Sequence, residues 1–112
     1  RHKFITYGKG APSPVYNPDW VLRLGSKEGK KRKSIMKVNS VYGLLLAVQS
    51  GVGLAAIPDY MAHNVNNITK ILPNETGKPT ETHFVYPVSL KTNARLIAFR
   101  NFIFSKVSEW KF

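Results

Sequence analysis

The sequence predicts an α/β fold with a largely parallel sheet, on three observations. Short runs rich in β-branched and aromatic residues alternate with segments of helical period, the pattern of strands joined by crossover helices. A nearly uncharged apolar block, residues 38–69 with Asp59 as its sole formal charge, lies between two basic ends. Polar residues stand where helices should start (Ser40, Asn93), and a glycine stands where one should stop (Gly51).

Taken in order, residues 3–7 (Lys3, Phe4, Ile5, Thr6, Tyr7) alternate and favour a strand. Residues 8–18 contain Pro12, Pro14 and Pro18 with two glycines and read as a loop. Residues 19–24 read either as a helical turn opened by Pro18 or as a short edge strand. Residues 25–33 form a polar basic connection in which Lys27, Lys30, Lys31, Arg32 and Lys33 face a single Glu28. A second strand follows at residues 34–38.

Ser40 can then accept an orphan amide of the next helix, which runs from Val41 to Gly51 at its C′ position. This helix is apolar nearly all round, so burial on more than one side is expected. Residues 53–57, bounded by Gly53 and Pro58, have the pattern of a strand buried on both faces. Pro58 is expected at the first position of a further helix over 59–64. Residues 68–72 predict an edge strand, 73–80 a loop, and 82–88 another strand. Asn93 predicts the cap of a last helix over 94–110, where Leu96, Phe99, Ile103, Val107 and Trp110 repeat at helical spacing.

Composition excludes several classes. The 112 residues suffice for one domain, and 43% hydrophobic content supports a packed core. The absence of cysteine removes disulfides, thiolate metal sites and cysteine nucleophiles, and suits a reducing cytoplasm. No run approaches the ~18 apolar residues of a membrane span. The net charge of +11 is concentrated: residues 1–37 hold ten basic and two acidic side chains. A chain starting at Arg1 without Met suggests further sequence upstream.

Chemistry-bearing clusters are scarce. His2, His63 and His83 are far apart and lack metal-ligand spacing, and the six acidic residues form no general acid–base pair. The pair Gly51 and Gly53 precedes a strand instead of following one, which fits a helix-to-strand turn better than a dinucleotide fingerprint. The basic run at 27–33 reads as a solvated loop, because aromatic interleaving is missing. The sequons at Asn67 and Asn74 are the chance matches of an asparagine-rich chain. No cofactor, no metal and no catalytic residue are expected.

The stretch VNSVYGLLLAVQSGVGLAAIPDY, residues 38–60, resembles the LysR-type transcriptional regulators of bacteria without a gap. Outside it, Phe4 to Tyr7, Ile71-Leu72-Pro73, Phe84-Val85-Tyr86-Pro87, and the run from Asn93 to Phe99 with Phe102 are similar at compatible spacing. The resemblance implies an effector-binding domain of the periplasmic-binding-protein type 2 fold. Residues 1–88 would be a partial second subdomain. Residues 89–112 would be a C-terminal helix segment returning to the first subdomain, whose first half, like the DNA-binding domain, lies outside this chain.

By that resemblance and by strand-end logic, the effector-binding candidates are Tyr7, Gly8, Lys9, Asn39, Ser40, Ile57 and Pro58. A helix N-terminus suits an anionic ligand. Ser40 serves equally as a plain cap and Tyr7 as a sheet residue, whereas Pro58 fits a helix-starting proline better than a ligand contact. The implied partners are a small-molecule effector, DNA only through the missing N-terminal domain, and further copies in a homo-oligomer, with no membrane. Two other readings are a solute-binding fragment of a periplasmic transport system and, on the lysine cluster, a nucleic-acid-binding module.

Overall fold

A computed structural model describes residues 2–8, 17, 19–26 and 29–111. The chain divides into two compact units, Arg1–Thr80 and Glu81–Phe112.

In the first unit, β1 (Ile5–Tyr7) pairs in parallel with β2 (Met36–Val38), Ile5 opposite Met36 and Tyr7 opposite Val38. On its other edge β1 meets residue 54 through a parallel bridge from Phe4, with Ile5 N–H donating to the Leu54 carbonyl at 2.9 Å and Leu54 N–H to that of Lys3 at 2.8 Å. Three chain segments therefore run parallel, as the sequence predicts, and β1 lies in the middle. Parallel neighbours need a crossover. Helix α1 (Val41–Gln49) supplies it between β2 and Leu54.

The caps of α1 are those the sequence predicts. Ser40 Oγ accepts the amide of Gly43 at 3.3 Å, and Gly51 leaves the helix at φ +74°. This left-handed conformation is cheap for glycine alone. Leu44 and Ala47 pack on Ile5 and Tyr7 to make the core, with Val38, Val41, Val48, Val52 and Ala55 around it. Tyr42 and Leu46 on the same helix remain exposed, so α1 is buried on one side and not on several.

Several strand and helix expectations are corrected. Among the described residues, 53–57 form a single bridge, at Leu54, and are half-buried, not a strand covered on both faces. Pro58 is the N-cap of α2 (Asp59–Ala62), one position earlier than expected, and α2 ends two residues before Asn64. Residues 19–24 resolve into a 3-10 turn, Trp20–Leu22. Residues 68–72 are exposed for the most part and form no strand, with Leu72 at φ +53°. Most of the loop expected at 8–18 lies outside the described residues.

In the second unit, residues 82–88 do not pair as a strand and lead into a 3-10 turn, Val88–Leu90. Helix α3 (Ala94–Ser108) follows, ending two residues short of Trp110. Asn93 Oδ1 accepts the amides of Arg95 and Leu96 at 3.0 and 3.1 Å, the cap the sequence predicts. What holds the preceding segment is aromatic packing: the Phe84 ring lies 6.1 Å from Phe99, 6.5 Å from Phe104 and 5.9 Å from Tyr86.

Candidate functional site

The exits of β1 and β2 lie side by side. Beyond the last ladder pair, Gly8 N–H donates to the Val38 carbonyl at 2.7 Å, so the chain leaves β1 beside the turn that enters α1. Asn39 and Ser40 form that turn and are exposed. The first amides of a helix have no intrahelical acceptor. Ser40 Oγ satisfies that of Gly43, and those of Val41 and Tyr42 belong to the same first turn. The helix dipole favours negative charge at such donors, and residues 38–58 carry no charged side chain to oppose an anion.

The structure thus brings Tyr7, Gly8, Asn39 and Ser40 together. Tyr7 contributes backbone only at this exit, because its ring is buried with Ile5, Leu44 and Ala47. Ile57 and Pro58 lie past the Leu54 bridge, on the opposite edge of β1 from β2. Ile57 lines a separate large groove, and Pro58 caps α2. Lys9 lies outside the described residues. Among the described residues, no group of histidine and acidic side chains has the makings of a metal site.

The basic run contains residues whose role the sequence did not reveal. Lys31 pairs with Asp19. Arg32 donates through its guanidinium to the Leu24 carbonyl, stacks 5.5 Å from the centre of the Phe4 ring, and gives its backbone N–H to Leu22 at 3.0 Å. These contacts fasten the 3-10 turn to the start of β1. The one signal available was an arginine within a lysine run, since the planar guanidinium suits stacked, hydrogen-bonded positions that an ammonium does not.

In open α/β domains, strand exits beside a capped helix N-terminus are places where small molecules bind. The family model for the LysR substrate binding domain matches residues 1–107, and the chain belongs to that family. Its members are the effector-binding parts of transcription regulators, so an effector-binding role follows for this chain. No curated protein and no solved structure matches it significantly. No helix among the described residues is long and apolar enough to cross a membrane.

Proposed function

We propose that residues 1–88 form most of the second subdomain of a periplasmic-binding-protein type 2-like effector domain, with residues 89–112 belonging to the helix that returns to the first. The wall of its cleft is the strand-exit surface of Gly8, Asn39 and Ser40, with the Tyr7 backbone and the turn at Ile57 and Pro58, and Lys9, next in sequence to Gly8, is a further candidate contact. The ligand is a small anion that co-induces a cytoplasmic, non-enzymatic LysR-type regulator. DNA contacts belong to a helix-turn-helix domain outside these residues. The regulator works as a homo-oligomer.

The observation that carries this reading is the Gly8 to Val38 hydrogen bond, which aligns both strand exits with the amides of α1. An effector bound there shifts the regulator only if it prefers one of two cleft arrangements. In a regulator carrying this domain, Ser40→Ala weakens binding of an anionic effector measured by calorimetry. Unchanged affinity would reduce Ser40 to a helix cap.

A further inference from the structure

We propose that Trp20 and Gly77 form a latch on the crossing between the two units, and that the latch sets the reach of the second unit. The first unit ends at Thr80 and the second begins at Glu81. From 69 to 83 every residue is exposed except Gly77. The backbone hydrogen bond described in this stretch, from Glu75 N–H to the Leu72 carbonyl at 2.9 Å, stays inside its own turn. Gly77 instead lies against the Trp20 indole, where a Cβ would stand 3.0 Å from Nε1 and 3.3 Å from Cε2. Glycine permits so close an approach because it carries no side chain. An otherwise exposed stretch therefore touches down on a tryptophan shortly before it enters the second unit.

The seat of the latch is fixed to the sheet. Trp20 opens the 3-10 turn whose Leu22 is buried. Arg32 ties this turn to the start of β1, through its bonds to the Leu22 and Leu24 carbonyls and its stack on Phe4. With the latch shut, the crossing beyond it is residues 78–80, which span about 10 Å at full extension. Pro79 stiffens that remainder. With the latch open, the crossing starts after Lys70, which pairs with Asp59 at 3.3 Å, and residues 71–80 span about 35 Å. Opening breaks a ring contact and no ladder pairing, so it proceeds without global unfolding. The inference does not depend on where an effector binds.

The chain has no cysteine, so spin labels at Gln49→Cys on α1 and Ser105→Cys on α3, both exposed positions, report the separation of the two units. In the full chain, Gly77→Val should broaden the label–label distance distribution about twofold, towards longer separations, and Gly77→Ala should broaden it less. Trp20→Ala removes the seat from the other side and should act as Gly77→Val does, with no further broadening when the two are combined. Trp20 emission, read with Trp110→Phe, should move to longer wavelength in Gly77→Val as the indole loses its cover. An unchanged distribution or unchanged emission in Gly77→Val would overturn the latch, and so would additive effects of Trp20→Ala and Gly77→Val. Should Trp20→Ala not fold, the graded comparison of alanine and valine at position 77, in an exposed loop, still decides.

Discussion

Gly8 donates its backbone N–H to the Val38 carbonyl at 2.7 Å, closing the β1–β2 pair one residue past its last ladder partners. A Cβ on Gly8 would lie 3.6 Å from that oxygen, an ordinary contact. Gly8→Ala therefore keeps native stability to within about 0.5 kcal/mol. Gly8→Pro deletes the donor and destabilises by about 1–3 kcal/mol in urea unfolding. Equal stability of the two variants would show that the bond does not hold the exit together.

Gly53 and Gly51 should respond to alanine for different reasons. A Cβ on Gly53 would sit 2.6 Å from the Lys3 carbonyl oxygen, at the point where Leu54 bonds to β1. Backbone must move, so Gly53→Ala costs about 1–3 kcal/mol by overpacking. At Gly51 there is open space, and only the positive φ resists, at about 1–2 kcal/mol. Amide exchange separates them: Gly53→Ala speeds exchange at Leu54 and Ile5, whereas Gly51→Ala frays the end of α1.

Arg32→Ala loses both the Leu24 hydrogen bond and the Phe4 stack and lowers stability by about 1–2 kcal/mol. Arg32→Lys recovers only part of it, since an ammonium cannot reproduce the planar fork. Lys33→Ala, at an exposed position, stays within about 0.5 kcal/mol of native. Equal effects at positions 32 and 33 in thermal unfolding would return the whole run to the status of a solvated loop.

Helix α3 exposes Phe99, Phe102, Phe104 and Val107. Large exposed apolar side chains in this number are the kind of surface that interaction sites use. Light scattering should show concentration-dependent association of the chain, reduced by Phe102→Asp with Val107→Asp. A monodisperse monomer at high concentration would contradict the homo-oligomer reading.

What was legible in the sequence was local. The caps at Ser40 and Asn93 and the left-handed Gly51 depend on residues within a turn of one another, and each stands where the sequence predicts. Parallel pairing was also legible, because the apolar block between β2 and Leu54 has the length and period of a crossover helix. The strands expected at 68–72 and 82–88 do not form because β-propensity only describes fitness for a partnered surface, and among the described residues neither segment finds a ladder neighbour. Phe84 is held by ring packing against α3 instead. At the candidate site, Asn39 and Ser40 were legible from capping logic. The burial of the Tyr7 ring was not, since alternation fixes which face a residue takes but not what covers it.

Ser40→Asp tests the central claim most directly. Aspartate caps a helix as well as serine does, so α1 keeps its start, but the added charge repels an anion at the same amides. In a regulator carrying this domain, small carboxylates are screened by thermal shift on the native protein and on the Ser40→Asp variant. The account predicts that a carboxylate raising the native Tm leaves the variant at its ligand-free Tm. An equal rise in both proteins would contradict it.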